Sequence, residues 1–315
     1  MLVAAATILV GFIVLVWSAD LFVAGAASIA ENMGISHIII GLTIVSLGTS
    51  APEVLVSITA ALSDAGELAI GNAIGSNIAN IGMVLGVTVL VAPLCVHQNC
   101  MRQEMPTLLV VTVGCGLLML DGELARLDGI LMLAALALIL IQMIRSQSRD
   151  ESLIEATEEE ELPHLRPLRA WITFIIGLAL LIASSRLLVW GAAQVAHELG
   201  VSQLIIGLTI VAVGTSLPEL ATTLVAAWRN EDEMALGNIV GSNLFNLLAV
   251  AGPVALIKPL SAEEGGLLVQ LGSMILLTIL VHAMIVRCRG SIGRGRPVEL
   301  PARRRRIDRR AVAEF

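Results

Sequence analysis

One stretch of this chain occurs twice, as GLTIVSLGTSAPEV at residues 41–54 and as GLTIVAVGTSLPEL at residues 207–220. A second motif follows each copy, as GNAIGSNIANI at 71–81 and as GNIVGSNLFNL at 237–247, so both motifs recur at an offset of 166 residues. At this offset, 18 of the 31 positions of residues 25–55 are identical in the second copy. Segments alike only in composition would not agree so often, so the chain contains an internal duplication.

The composition places most of the chain in a lipid bilayer. Of its 315 residues, 57% are hydrophobic and 14% are charged, and the mean hydropathy is +0.89. Soluble domains carry about 25% charged residues. A helix needs roughly 17 to 25 apolar residues to cross the hydrocarbon core. Runs of this kind predict nine spans, at residues 2–24, 35–62, 69–94, 104–121, 127–145, 168–190, 201–228, 235–257 and 266–286.

The number of spans sets the relation between the two copies. Five predicted spans precede the second copy, and this odd number makes the copies enter the membrane in opposite directions. Inverted repeats of this kind are common in secondary transporters, whose binding sites lie near the bilayer midplane between the repeats. The sequence therefore predicts an all-α polytopic membrane protein with two inverted-topology repeats of the five-span type.

Four parts are predicted along the chain. At the offset of 166, the last span of the first repeat corresponds to residues 294–311, whose arginine-rich sequence cannot cross a bilayer. We therefore expect the last span of the second repeat to be missing or altered. The parts are a first repeat at 1–145 with its motifs at 41–81, an acidic cytoplasmic linker at 146–167, a second repeat at 168–286 with its motifs at 207–247, and a basic C-terminal tail at 287–315.

The distribution of basic residues predicts the orientation. With the N-terminus outside, nine spans place 16 of the 19 basic residues on the cytoplasmic side. The exceptions are Arg126, Arg186 and Lys258. This distribution follows the positive-inside rule. We expect a multi-pass protein of the cytoplasmic (inner) membrane, with the linker and the tail inside and membrane lipid around the spans.

The first motif predicts broken helices that carry a carboxylate. Pro52 and Pro218 remove a backbone donor in the middle of a span, which frees carbonyl oxygens. Such backbone is tolerated at membrane depth where it lines a polar cavity. Glu53 and Glu219 follow about halfway along their spans, where an ionised side chain costs at least about 2.5 to 3.5 kcal/mol. Hard cations prefer oxygen ligands, and both the freed carbonyl oxygens and the carboxylates supply them.

A cation between the two carboxylates would remove their mutual repulsion and their desolvation cost. Ca²⁺ suits this role because it takes about 6 to 8 oxygen ligands. A pair of protonated glutamic acids hydrogen-bonded in the core is the alternative, and the recurrence of Glu53 and Glu219 in matching surroundings disfavours it.

The second motif places polar side chains four residues apart. On a helix this spacing forms one stripe in each half, made of Asn72, Ser76 and Asn80 and of Asn238, Ser242 and Asn246. We expect the glycines of this motif to let the helices approach closely. Asn72 and Asn238 could instead serve as polar links between helices, so their direct role in ion binding stays open.

At these motifs the sequence resembles the sodium/calcium exchanger family of cation/calcium antiporters, in its compact prokaryotic form. The resemblance implies no enzymatic activity and no cofactor, with Ca²⁺ and Na⁺ as transported ions and alternating access as the mechanism. It also implies a set of ligands and a set of supporting residues. The ligands are Thr49, Ser50, Glu53, Ser76, Asn80, Thr215, Ser216, Glu219, Ser242 and Asn246, and the supporting residues are Ser46, Ala212, Asn72, Asn238, Pro52 and Pro218.

Other functions compete with Na⁺-driven exchange. A proton/calcium antiporter is the nearest alternative, because a buried glutamate can exchange a proton for a cation. An intramembrane hydrolase would need an asymmetric acid and base, which the repeated motifs do not offer. A channel would show unitary currents. Nucleic-acid binding is not expected, since no aromatic residue is interleaved with the arginines of the tail before Phe315. Protein partners are not indicated.

Overall fold

The computed structural model describes residues 2–63, 66–96, 103–147, 165–202, 210, 212–261, 266–287 and 291–292. These residues are mostly helical, as predicted. Most of the linker and most of the tail, including the segment that corresponds to the expected tenth span, lie outside the described residues.

The helices follow the duplication. They are α1 Leu2–Met33, α2 His37–Ile40, α3 Ser46–Thr49, α4 Ala51–Leu62, α5 Gly66–Ala79, α6 Gly86–Val91, α7 Met105–Leu118, α8 Arg126–Gln147, α9 Pro167–Glu198, α10 Ala212–Thr215, α11 Leu217–Trp228, α12 Asp232–Phe245, α13 Ala251–Ile257 and α14 Gly266–Arg287. Three π-helical segments connect α2 to α3, α5 to α6 and α12 to α13, at Gly41–Val45, Asn80–Leu85 and Asn246–Val250.

Several of these helices can cross a membrane. By length and composition, six described helices qualify, at Val3–Met33, Gly66–Val91, Arg126–Met143, Pro167–Glu198, Asp232–Ile257 and Leu267–Arg287. The bent pair His37–Thr49 with Ala51–Leu62 brings the number to seven when it is counted as one broken span. Met105–Leu118 is a shorter apolar helix, and part of the predicted span at 201–228 lies outside the described residues. The protein is therefore multi-pass, and the total of nine spans remains a prediction.

Helices α1 and α9 occupy equivalent positions in the two halves and pack against each other along their length. A Cβ atom added to Gly25 of α1 would lie 2.6 Å from the Phe174 backbone nitrogen, and one added to Gly11 would lie 3.0 Å from Leu188. As the residue number in α1 decreases from 25 to 11, the residue number of its contact in α9 increases from 174 to 188. The two helices therefore run antiparallel. This direction is what an inverted repeat requires.

Two short antiparallel strand pairs link the halves at the ends of the helices. Strand β1, Leu94–Cys95, pairs with β4, Ser291–Ile292, and β2, Glu123–Leu124, pairs with β3, Leu260–Ser261. Each pair joins a strand of the first half to a strand of the second, and the offset of 166 relates β1 to β3. The pairing is therefore consistent with a pseudo-two-fold relation.

Glycines allow α12 to pack closely against α2 and the π-helical segment that follows it. A Cβ atom added to Gly237 would lie 2.5 Å from the Ile38 carbonyl oxygen, and one added to Gly241 would lie 2.5 Å from the Leu42 carbonyl oxygen. The expected close approach is thus present in the second half. At Gly75, which corresponds to Gly241, the residue is exposed and no described atom lies within 4 Å of an added Cβ. The counterparts of Ile38 and Leu42 in the second half, Leu204 and Leu208, lie outside the described residues.

Gly237→Ala should destabilise the protein by about 1 to 3 kcal/mol, because the new methyl group would force two backbones apart. Gly272→Ala is the control, since Gly272 is exposed in α14. The thermal midpoint of the detergent-solubilised protein, followed by size-exclusion chromatography, measures the difference. Equal midpoints for the two variants would contradict the tight packing at Gly237.

Candidate functional site

In each half, the helix that carries the glutamate is broken just before it. Ser50 lies between α3 and α4 with φ −83° and ψ 2°, and the two helical parts are bent by 47°. Ser216 lies between α10 and α11 with φ −88° and ψ 5°. Pro52 and Pro218 occupy the first turn after the break, where the fixed φ of proline suits the start of a helix.

The break also redirects a backbone carbonyl in the second half. Pro218 cannot donate to the carbonyl of Gly214, four residues earlier. This oxygen instead accepts a hydrogen bond of 3.3 Å from the Ser185 hydroxyl of α9. The equivalent residue in α1 is Ala19, which has no hydroxyl. The two breaks are therefore supported differently by the helices beside them.

Both glutamates lie deep inside the protein. Glu53 and Glu219 are each 1% exposed. The Ser50 hydroxyl donates to Oε1 of Glu219 at 3.1 Å, which joins the first motifs of the two halves. The other three carboxylate oxygens have no hydrogen-bond partner among the described residues. The site thus concentrates acceptor oxygens and potential negative charge, and among the described residues the Ser50 hydroxyl is the one donor to the four carboxylate oxygens.

Thr49 connects the first motif of one half to the second motif of the other. Its hydroxyl lies 3.2 Å from Oδ1 of Asn238 and 3.4 Å from the Ser242 hydroxyl, and all three side chains are buried. Predicted ligands from both halves therefore meet in one place.

Asn72 and Asn238 brace the helices that carry the glutamates. Asn72 Nδ2 donates to the Glu53 carbonyl at 3.4 Å and to the Ser57 hydroxyl at 3.0 Å. Asn238 Nδ2 makes the same pair of bonds, to the Glu219 carbonyl at 3.4 Å and to Thr223 at 2.9 Å. The sequence analysis did not single out Ser57 and Thr223. The offset of 166 relates these two hydroxyl residues and could have indicated them.

Asn80 and Asn246 each begin a π-helical segment. They are 1% and 0% exposed, and neither amide group has a hydrogen-bond partner among the described residues. Single π-helical turns are frequent at functional sites. Two buried amides without protein partners, at equivalent positions, are unusual and point to a bound polar species.

The remaining predicted residues occupy varied environments. Ser76 is buried, Thr215 is half-buried, and Ser216 is buried with no partner for its hydroxyl among the described residues. The Ser46 hydroxyl donates to the Leu42 carbonyl at 2.7 Å, four residues earlier in the chain. The Ser46 carbonyl accepts from the Ser50 backbone N–H at 2.9 Å. Ala212 begins α10.

The donor set consists of oxygen atoms. In the described part of the chain, no group of three or more His, Cys, Asp or Glu side chains could hold a metal ion. The other predicted ligands offer neutral hydroxyl, amide and carbonyl oxygens, which suit hard cations such as Ca²⁺ and Na⁺. Two carboxylates give a limited charge that favours reversible occupancy over permanent retention of a metal.

Comparisons with known proteins found a matching family model and similar chains. The family model described as "Sodium/calcium exchanger protein" matches residues 3–145 and 169–298. The inner membrane protein YrbG of Escherichia coli (strain K12) is 40% identical over 302 residues, which cover 94% of this chain and 92% of YrbG. The sodium/calcium exchanger MaX1 of Methanosarcina acetivorans is 30% identical over 317 residues, covering 88% of this chain and 90% of MaX1.

A solved structure has the same fold. The sodium-calcium exchanger NCX_Mj, soaked with 2.5 mM Na⁺ and 0.1 mM Ca²⁺, superposes with a TM-score of 0.80 and is 31% identical. The match covers 93% of both chains.

Asn238→Leu should destabilise the protein by about 1 to 3 kcal/mol, because it leaves buried hydrogen-bonding groups of Thr49, Thr223 and Glu219 without their partner. Asn77→Leu is the control, since Asn77 is also buried but makes one local bond, to the Ala73 carbonyl. The two thermal midpoints in detergent measure the difference. A midpoint for Asn238→Leu at or above that of Asn77→Leu would contradict the bracing role.

Proposed function

This chain belongs to the sodium/calcium exchanger family, and we propose that it exchanges Na⁺ for Ca²⁺ across the cytoplasmic membrane by alternating access. The family match and the likeness to NCX_Mj support cation/calcium antiport. The role of Na⁺ and of the individual ligands is the finer part of the proposal. Its main support is the pair of buried glutamates, which offer three carboxylate oxygens without a hydrogen-bond partner among the described residues.

In the proposed site, Glu53 and Glu219 bind the cation from opposite halves. Their burial makes two uncompensated negative charges costly, so a cation stabilises the ionised pair. One Ca²⁺ neutralises both charges, and two Na⁺ do the same. The neutral ligands are those predicted from the sequence: Thr49, Ser50, Ser76, Asn80, Thr215, Ser216, Ser242 and Asn246. Since both ions use the same carboxylates, they compete, and competition couples the two fluxes.

Alternating access requires one group of helices to move against another. The antiparallel pair α1 and α9 is the proposed moving unit, because the two helices pack mainly against each other. The ion pair between Arg229 Nε and Asp20 Oδ1, at 2.6 Å, joins α1 to the end of the helix that carries Glu219. Movement of α1 would break or reform this ion pair, so we propose that the pair limits how far α1 moves.

The proposed orientation places the N-terminus outside and the linker and the tail in the cytoplasm. In this orientation α6 and α11 end on the cytoplasmic side, and α4 and α13 end on the outer side. Ca²⁺ export would then follow the inward Na⁺ gradient.

Glu53→Gln and Glu219→Gln should each abolish Na⁺-dependent ⁴⁵Ca²⁺ uptake into proteoliposomes, because an amide has the shape of the carboxylate but not its charge. Glu67→Gln is the control, since Glu67 is exposed in the first turn of α5, and it should transport like the wild type. Retained flux in both site variants would refute the proposed role of the glutamates.

The coupling ion is tested by changing the gradient. Proteoliposomes loaded with Na⁺ and diluted into Na⁺-free buffer should take up ⁴⁵Ca²⁺, whereas a pH gradient alone should drive no uptake. Uptake with the pH gradient and none with the Na⁺ gradient would identify a proton/calcium antiporter instead.

A further inference from the structure

Two buried threonines lie outside the proposed ligand set. Thr88 in α6 and Thr222 in α11 are both 0% exposed, and neither hydroxyl has a hydrogen-bond partner among the described residues. A buried hydroxyl without a partner loses its hydration and receives nothing in return, which costs about 1 to 3 kcal/mol. Two of them in one part of the molecule need an explanation.

The helical backbone offers each of these hydroxyls an easy partner that it does not use. A threonine in a helix commonly donates to the carbonyl four residues earlier. Several threonines of this chain do so at 2.6 to 2.8 Å, namely Thr7, Thr43, Thr59, Thr107, Thr112 and Thr278. Thr88 and Thr222 could bond the carbonyls of Val84 and Pro218 in the same way. Their hydroxyls are instead directed elsewhere in the interior.

Both threonines lie on the same side of the proposed ion site. Thr222 follows Glu219 by three residues, about 4.5 Å along the helix axis, and Thr88 follows Asn80 by eight residues, about 12 Å. Helix α11 packs against the π-helical segment Asn80–Leu85 and against α6. The two hydroxyls therefore lie one turn and about two turns from the site, towards the end of the membrane where α6 and α11 end.

The duplication has no such hydroxyls on the opposite side. The residues at the offset of 166 are Val56 for Thr222 and Val254 for Thr88. Val56, in α4, is 40% exposed, whereas Val254, in α13, is buried. The main ligand positions are polar in both halves, so the replacement of valine by threonine distinguishes one side of the site from the other.

We propose that the hydroxyls of Thr88 and Thr222 form a transit site for the partly dehydrated cation on its way between the central site and the side where α6 and α11 end. This inference rests on the proposed function. Hydroxyl oxygens replace water ligands of Na⁺ or Ca²⁺ without adding charge, so the ion binds weakly. Weak binding suits transit, because a pathway must favour entry and still release the ion.

The test compares Thr88→Val/Thr222→Val with Thr112→Val in proteoliposomes. Valine has nearly the shape of threonine, and the buried Thr112 hydroxyl bonds its own helix at 2.8 Å. We expect Na⁺-driven ⁴⁵Ca²⁺ exchange to fall about tenfold in the double variant, as the loss of both weak hydroxyl ligands predicts. Equilibrium ⁴⁵Ca²⁺ binding by the purified double variant should match that of Thr112→Val.

Two further measurements separate transit from a structural role. The thermal midpoint of Thr88→Val/Thr222→Val should not fall, because the change removes two buried hydroxyls without partners, and Thr88→Ser/Thr222→Ser should restore exchange. Exchange in the double valine variant equal to that of Thr112→Val would overturn the transit site and leave the proposed function intact. A lower midpoint with loss of ion binding would also overturn it. Absence of Na⁺-driven exchange in the wild type would refute the proposed function and the transit site together.

Discussion

Two acidic side chains buried among the helices constrain the rest of this structure. Glu53 and Glu219 are almost completely buried, and the hydrogen bond from Ser50 reaches one of their four oxygens. In a medium of low dielectric constant, such groups are stable when ionised if a cation lies between them. The surrounding helices therefore have to hold oxygen ligands near the carboxylates and keep lipid away.

The scaffold meets this requirement with local breaks and matched braces. Each proline break ends one helical part and begins another, so that a serine and a glutamate lie at the junction. Asn72 and Asn238 then bond the carbonyl of the glutamate in their own half. This bond fixes the position of each glutamate along the axis of the neighbouring helix. Because the same brace occurs twice, the two carboxylates are positioned by equivalent contacts.

The two halves are nevertheless not identical in their contacts. Ser50 bonds Glu219, but the hydroxyl of Ser216 has no partner among the described residues. The Asn77 amide bonds the Ala73 carbonyl, whereas the amide of its counterpart Asn243 has no partner among the described residues. An alternating-access protein with inverted repeats is expected to be asymmetric in any one state, because exchanging the conformations of the repeats opens the other side. The differences are consistent with a single state of such a cycle.

The amino-acid sequence by itself determined the helical membrane class, the duplication and the family, because hydropathy and repeated motifs are properties of residue order. It also identified the glutamates, the hydroxyl stripes and the prolines, since each occurs twice at one offset. Comparing the two halves at this offset could also have indicated Ser57 and Thr223, which bond the bracing asparagines. Tertiary structure alone decided that Thr49 meets Asn238, that Ser185 bonds the Gly214 carbonyl and that Asp20 pairs with Arg229. These contacts join residues far apart in the chain, and their geometry depends on how the helices pack, which local patterns do not encode.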